Sequence, residues 1–269
     1  MNLILSDQFQ AEHRFSSAPV RIVSLVPSQT ELLCDLGLES RLAGITKFCV
    51  RPFHLRAQKT VVGGTKKVKL DLIRDLKPDI VIANREENTL EIVEALKEFT
   101  RVWVTDVRNI ADNLRMIEDL GEVFNVRTEA LKISDKIKWG LERFENFMHE
   151  RPARKTAYFI WKNPYMVAGG DTYIDAMLQL NKFDNIYRDK GRYPEIRLGR
   201  IRLEGDPEVV ILSSEPFPFS DEDAFEIGRY THHGKTVFAD GEMFSWHGSR
   251  LLKALPYFEQ LQLRLDRLQ

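Results

Sequence analysis

Hydrophobic and polar positions alternate along the chain in short blocks that predict strands and helices in turn. In the first half, apolar runs predict strands at 21–26, 42–46, 79–83 and 101–105. Amphipathic patterns predict helices at 29–36, 70–76 and 90–99. This alternation is typical of a parallel sheet covered by helices.

The pattern changes between residues 110 and 150, where helical periodicity continues and no strand is predicted. The segment 127–150 contains one glycine, Gly140, and no proline, and Arg151-Pro152 predicts its end. A helix of about 20 residues spans about 30 Å, the width of a small domain. Beyond it, strands are predicted at 155–160, 208–212 and 236–239, with helices at 172–180, at 221–229 and from 248.

These blocks predict an α/β protein with two lobes joined by one long backbone helix. The predicted parts are an N-terminal extension at 1–20, a first lobe at 21–126, the linking helix at 127–151 and a second lobe at 152–269. The segments 70–88 and 198–216 also align with one inserted residue, which favours a duplicated architecture. The aligned pairs are Pro78 and Pro207, Ile82 and Ile211, and Glu86 and Glu215.

Composition narrows the class of protein. A chain of 269 residues with 43% hydrophobic and 29% charged residues is typical of a soluble globular protein. The formal net charge of -1 argues against nucleic acid as a partner, and no apolar run approaches the roughly 20 residues of a membrane span. Residues 1–15 lack the pattern of a secretory signal. We therefore expect a monomer, periplasmic or on the cell surface if a leader was removed, and cytoplasmic if this is the full gene product.

Loops that follow predicted strands carry the candidate chemistry, because ligands of open α/β sheets bind outside the carboxyl ends of the strands. In the second half these loops are rich in aromatic residues interleaved with proline, which favours a large apolar ligand in a cleft. The aromatic residues are Trp161, Tyr165, Phe217, Phe219, Phe244 and Trp246. Lys47, Arg51 and Lys66 give the corresponding loops of the first half positive charge.

Catalytic signatures are absent, since the sequence has no G-x-S-x-G, H-E-x-x-H or C-x-x-C motif and no Gly-rich phosphate loop. In the run NREEN, we predict that Asn88 caps the next helix. Cys49, His54 and His247 would suit zinc or a haem axial ligand, but they come from separate loops and a metal site stays open. A disulfide between the two cysteines, Cys34 and Cys49, stays open as well.

The segment RIVSLVPSQTELLCDLG (21–37) predicts a strand, a turn at Pro27 and a helix. Ser28 and Glu31 match a capping box, S-x-x-E, with Ser28 as N-cap, and Gly37 is the predicted stop. A helix capped by its own side chains has no need of a phosphate at its start. We interpret Pro27-Ser28 as a rigid wall of the cleft, with a well-capped helix start and nothing more as the alternative.

The segments 21–37, LAGIT at 42–46 and VGGTKK-x-x-LDLIRDLKPDIVIA at 62–83 resemble the cobalamin substrate-binding proteins of ABC importers. These belong to the class III, helical-backbone periplasmic binding proteins, which also take up ferric siderophores and haem. The resemblance implies two Rossmann-like lobes with central parallel sheets, joined by one rigid helix, with a ligand cleft between the lobes. It also implies that Pro27, Ser28 and Phe48 contact the ligand, and that the protein catalyses nothing.

The leading hypothesis is therefore a substrate-binding protein, not an enzyme, that captures a cobalamin-like corrinoid, haem or a ferric siderophore for ABC-type uptake. It predicts no intrinsic cofactor, a metal chelate as ligand and an ABC permease as partner. The alternative is a cytoplasmic enzyme or chaperone that handles a corrinoid or a metal, with Glu86, Glu215 and His247 as acid/base candidates; a partner-docking scaffold is a third. The predicted ligand-binding residues are Pro27, Ser28, Phe48, Arg51, Lys66, Asn84, Arg85, Trp161, Tyr165, Glu215, Phe217, Trp246 and Arg250.

Overall fold

The structure is a computed structural model that describes residues 3–267. These residues form two compact units, which are described separately. Unit 1 contains residues 3–107, 111–138 and 247–250, and unit 2 contains residues 108–110, 139–246 and 251–267.

Unit 1 is built on a parallel sheet. The strands of unit 1 are β1 (Leu3–Ser6), β2 (Glu12–Phe15), β3 (Ile22–Ser24), β4 (Leu42–Ile45), β5 (Thr60–Val61), β6 (Ile80–Asn84) and β7 (Arg101–Thr105); the last five of them form the parallel sheet. Its helices are α1 (Pro27–Asp35), α2 (Leu55–Gln58), α3 (Leu70–Asp75), α4 (Leu90–Lys97) and most of α5 (Ile110–Val123). The five parallel strands lie in the order β5-β4-β3-β6-β7. Both faces of β6 are buried, which explains its unbroken apolar run.

A two-stranded hairpin, β1–β2, packs beside β7, where the sequence analysis predicts no strand. The buried Asp7 accepts hydrogen bonds from the amides of Phe9 and Ala11 in the hairpin turn and from the amide of Val104 in β7. Gln8 Oε1 accepts from the amide of Asp106 at 2.8 Å. The hairpin thus satisfies backbone donors along the outer edge of the sheet.

One continuous helix, α6 (Arg127–Met148), begins in unit 1 and ends in unit 2. Its 22 residues confirm the long helix predicted at 127–151, and it ends three residues before the predicted stop. At 1.5 Å per residue it is about 33 Å long.

Unit 2 repeats the plan of unit 1. Its strands are β8 (Arg154–Trp161), β9 (Met166–Val167), β10 (Phe183–Asn185), β11 (Val209–Ser213) and β12 (Lys235–Ala239). Its helices, after α6, are α7 (Tyr173–Leu180), α8 (Asp221–Gly228), α9 (Gly241–Ser245) and α10 (Leu251–Arg267). The parallel strands lie in the order β10-β8-β11-β12, and β9 adds antiparallel to β8.

The duplication predicted from the sequence agrees with this topology. Each sheet contains four parallel strands that can be numbered 1 to 4 in chain order. Their spatial order is 2-1-3-4 in both units, namely β4-β3-β6-β7 in unit 1 and β10-β8-β11-β12 in unit 2. Ile82 and Ile211 are each the third residue of the third of these strands. The alignment pairs the segment before Pro207 with α3, but that segment contains only a 3₁₀ turn, Leu198–Arg200.

The start of α1 corrects the predicted capping box. Val26 is the N-cap, Pro27 occupies the first helical position, and no side chain caps the helix. Ser28 therefore lies inside the first turn, and Glu31 forms an ion pair with Arg250. Proline suits that first position because its missing N–H would have no partner there.

The end of α1 and the start of α4 follow local backbone chemistry. Gly37 has φ +79°, as expected for the residue that ends a helix in the left-handed region. The N-cap of α4 is Thr89, whose side chain accepts from the amide of Ile92, so the prediction of Asn88 as cap is wrong. Asn88 instead accepts from the amide of Asn84 through its side chain.

Candidate functional site

Three loops of unit 1 meet at the carboxyl ends of its parallel strands. They are residues 46–54 after β4, 62–69 after β5 and 84–89 at the end of β6, and together they are called the unit 1 loop face. The amide of Lys47 donates to the Gly63 carbonyl at 2.7 Å, which joins the first loop to the second. Asn88 Nδ2 donates to the Thr65 carbonyl at 2.9 Å, and Lys66 Nζ donates to the Glu86 carbonyl. The loops therefore form one connected surface.

Two aromatic rings stand exposed on this face, and each has a cation against it. Phe48 is 49% exposed and Phe53 is 74% exposed. Lys47 Nζ lies 4.9 Å from the centroid of the Phe48 ring, and Arg51 Cζ lies 4.2 Å from that of Phe53. At Gly64, an added Cβ would lie 3.2 Å from Phe48 Cε2, so the glycine leaves room for the ring.

Asn84 and Arg85 organise the turn after β6. Asn84 is buried, its Nδ2 donates to Thr105 Oγ1 at 3.0 Å, and its Oδ1 accepts from the amide of Glu86 at 2.8 Å. Arg85 extends outward, and its guanidinium lies 3.0 Å from Asp106 Oδ2. Asn84 and Arg85 are both predicted to contact the ligand, but they differ in solvent exposure: Asn84 is buried and Arg85 is exposed.

Glu87 is a carboxyl on this face that the sequence reasoning missed. Burial raises its pKa, while the charge of Lys66 and a hydrogen bond with Thr65 oppose that rise. The sequence signal was a carboxylate soon after a buried strand, but the order of two adjacent glutamates does not show which of them is enclosed. The structure makes Glu87 the more enclosed acid of the pair.

The three metal-ligand candidates each have other partners. Cys49 is buried, with its Sγ 3.1 Å from Thr30 Oγ1, and burial raises the pKa of its thiol. His54 is exposed, and its Nε2 lies 2.8 Å from Glu39 Oε1. Among residues 3–267, no group of three His, Cys, Asp or Glu side chains is arranged to hold a metal ion. Both Cys34 and Cys49 are free thiols.

The start of α1 carries Pro27 and Ser28, and both are buried. Ser28 Oγ lies 3.4 Å from Nδ1 of His247, which is itself buried. Burial lowers the pKa of His247 to about 4, so its imidazole is neutral at neutral pH. Pro27 and Ser28 are therefore part of the packed interior, and His247 packs against Ser28.

The segment 247–250, called the anchor segment, joins α9 to α10 but lies in unit 1. Arg250 Nε lies 2.8 Å from Glu31 Oε2, and both side chains are 4% exposed. Ser249 Oγ donates to Asp35 Oδ2 at 2.5 Å, and the amide of Gly248 donates to Asn113 Oδ1. The Arg250 guanidinium, predicted as a ligand contact, is thus placed in a buried ion pair.

Unit 2 presents aromatic rings after β8 and β11. The unit 2 aromatic cluster consists of Trp161, Tyr165, Phe217 and Phe219. Trp161 is 39% exposed, and its ring meets that of Phe217 edge-on at 5.6 Å. The Phe217 ring packs against Phe219 at 4.8 Å. Edge-to-face packing of this kind fixes ring orientation.

Glu215 and Trp246 hold this loop to α9. Glu215 Oε1 accepts from Trp246 Nε1 at 3.1 Å and from Ser245 Oγ at 3.0 Å, and burial raises the pKa of the Glu215 carboxyl. Trp246 is 8% exposed. Phe244 is fully buried against Tyr158, so it belongs to the core of unit 2.

Comparison with known proteins gives the family. The sequence profile of the periplasmic binding proteins matches residues 22–229. The chain belongs to the periplasmic binding protein family. This agrees with the resemblance seen in the sequence and with the two sheets of like topology. Members of the family are substrate-binding proteins and not enzymes.

Individual relatives agree with this assignment. An uncharacterized ABC transporter substrate-binding lipoprotein of Bacillus subtilis is 24% identical over 93% of this chain and 82% of its own length. The fold matches that of the periplasmic vitamin B12-binding protein of Vibrio cholerae, with a TM-score of 0.80, 17% identity and coverage of 93% of this chain and 99% of that one. It also matches a periplasmic heme-binding protein of Pseudomonas aeruginosa, with a TM-score of 0.76, 21% identity and coverage of 90% and 91%.

Within residues 3–267, no helix combines the length and the apolar character needed to cross a membrane.

Proposed function

We propose that this periplasmic binding protein captures a metal chelate, with a cobalamin-like corrinoid first and haem or a ferric siderophore next, and delivers it to an ABC permease. The observation that carries the proposal is the exposure of large rings in loops at the carboxyl ends of both sheets. Rings such as Phe48 and Trp161 cost free energy when left in water, and a broad apolar ligand would cover them. The names of the relatives support the same ligand class.

We assign the ligand-binding residues two roles. Those with exposed or half-exposed side chains on the loops would touch the ligand, namely Phe48, Arg51, Lys66, Arg85, Trp161, Tyr165 and Phe217. Those that are buried or bonded within their unit would position the contacting groups, namely Pro27, Ser28, Asn84, Glu215, Trp246 and Arg250.

We place the protein outside the cytoplasmic membrane, periplasmic or at the cell surface, as a monomer that docks on its permease. Support comes from its relation to a substrate-binding lipoprotein. The alternative of a cytoplasmic enzyme or chaperone gains no support from the comparisons.

The test is a titration with hydroxocobalamin, haemin and ferric siderophores, followed by tryptophan fluorescence and thermal melting. We expect one of these chelates to bind stoichiometrically and to raise the melting temperature, because a ligand that binds only the folded state stabilises it. Failure of all three to bind would contradict the proposal.

Two tryptophans of unit 2 provide a matched pair of variants. Trp161→Ala should weaken binding roughly tenfold, because an aromatic contact and its buried area are lost. Trp139→Ala, on α6, removes a tryptophan that is 61% exposed and should leave affinity unchanged. Equal effects of the two substitutions would remove Trp161 from the site.

A further inference from the structure

The loop 47–53 (KFCVRPF) places a cation before a phenylalanine twice in seven residues. In the structure each cation lies against its own ring, Lys47 against Phe48 and Arg51 against Phe53. Both rings are exposed, whereas Cys49 within the loop and Leu55 just after it are fully buried and hold it against unit 1. The loop is therefore held so that two charged aromatic surfaces face outward.

We propose that these two pairs select a ligand whose flat macrocycle carries a carboxylate on a side chain at its edge. We also propose that Phe53 is a further ligand-binding residue of this protein. This inference rests on the proposed function and narrows its ligand class. A ring with a cation beside it offers an apolar surface for a flat chelate and, next to it, a positive charge for a carboxylate. Such a pair should therefore bind an anionic flat chelate more tightly than a neutral one.

The charges around the loop favour this assignment. Within the part of the chain that the structure describes, Lys47 makes no ion pair with a carboxylate. Lys66, by contrast, interacts with the carboxylate charge of Glu87 and also donates to the Glu86 carbonyl. A charge that its own protein leaves unneutralised is available to an incoming anion, so Lys47 carries more of the selection than Lys66.

In unit 2, a cation beside the aromatic cluster is already paired with carboxylates. Lys162 Nζ lies 5.8 Å from the centroid of the Tyr165 ring, 2.5 Å from Asp223 Oδ1 and 2.9 Å from Glu226 Oε2. These two carboxylates raise the pKa of Lys162, so it stays protonated and its positive charge is balanced within the protein. Recognition of a carboxylate is thus assigned to the unit 1 loop face, and unit 2 supplies apolar surface.

The test compares ligands that differ only in this group. One pair is cyanocobalamin and its monocarboxylic acid, in which one side-chain amide is hydrolysed; the other is haemin and its dimethyl ester. For the macrocycle that binds, we expect the acid form to bind at least tenfold tighter than its neutral partner, since a charge-assisted contact is gained. Raising the salt from about 50 to about 500 mM should reduce this preference.

Variants locate the effect. The double variant Lys47→Gln/Arg51→Gln should bring the ratio of the two affinities to within about twofold, and the single Lys47→Gln should lower it part of the way. Phe53→Leu should weaken acid and neutral forms alike, roughly threefold to tenfold. The control is Lys97→Gln on α4, an exposed lysine paired with Glu94, which should keep the wild-type ratio.

Two results would overturn the inference. If acid and neutral forms bind wild-type protein equally, or if the folded Lys47→Gln and double variants keep the full preference, the loop does not read a carboxylate, although binding of a metal chelate would still hold. If none of the four compounds binds, the proposed function fails and the inference fails with it. Far-ultraviolet circular dichroism of each variant confirms folding.

Discussion

Lowering the pH from 7.5 to 5 should destabilise unit 1 through His247, the buried histidine behind Ser28. Burial lowers its pKa from 6.5 to about 4. Between pH 6.5 and pH 4, His247 is protonated in the unfolded chain but mostly neutral in the folded chain. The contribution of His247 to the free energy of unfolding, which is present above pH 6.5, is therefore lost as the pH falls towards 4.

The magnitude follows from the two pKa values. At pH 5 the unfolded imidazole is almost fully protonated and the folded one about one-tenth protonated, which corresponds to a loss of about 2 kcal/mol relative to pH 7.5. Complete loss, below pH 4, would approach about 3 kcal/mol, since each pKa unit is worth about 1.4 kcal/mol.

The assay is urea unfolding at both pH values for the wild type and for His247→Gln. The variant is expected to be less stable at pH 7.5, because a buried imidazole is replaced, but it should lose about 2 kcal/mol less than the wild type between pH 7.5 and 5. His233→Gln, in the exposed turn before β12, is the control and should keep the wild-type loss. If His247→Gln and the wild type lose the same free energy, the argument from burial is refuted.

Two further substitutions test the packing of unit 1 by urea unfolding. Arg250→Met removes the ion-pair partner of the buried Glu31 carboxylate and should cost about 3–5 kcal/mol, whereas Arg74→Met breaks an exposed pair and should cost under about 1 kcal/mol; similar losses would argue against a buried pair. Gly37→Ala should cost about 1 kcal/mol because φ is +79° there, although no atom lies within 4 Å of the added Cβ. Gly199→Ala has equal space and no such φ, so an equal loss there would mean that backbone strain is not the cause.

Much of the fold could be predicted because the central strands β6 and β11 are buried on both faces and give unbroken apolar runs. The strand at 101–105 was predicted to the residue, and the long helix differs from its prediction only at its end. The hairpin was missed because its strands are four residues long and only the second, Glu12–Phe15, alternates between exposed and buried positions. Short patterns of this kind carry little periodicity signal.

The candidate site was less predictable, because access depends on partners far away in the chain. Arg250 resembles a surface cation in the sequence, but Glu31, 219 residues earlier, holds it in the interior. Ser28 resembles an N-cap, but Pro27 takes the first helical position and moves the cap to Val26. Phe53 was overlooked because nothing in the order of residues shows which ring of a loop turns outward.

The hairpin β1–β2 has a consequence for assembly. β7 is the last strand of its sheet, and its outward amide at Val104, with that of Asp106 just beyond it, is already bonded to the side chains of Asp7 and Gln8. A strand from another molecule would have to displace those side chains before it could pair. Residues 3–15 therefore cover this edge of the sheet, and a protein trimmed to begin at residue 21 should expose an edge that can pair with a strand of another molecule.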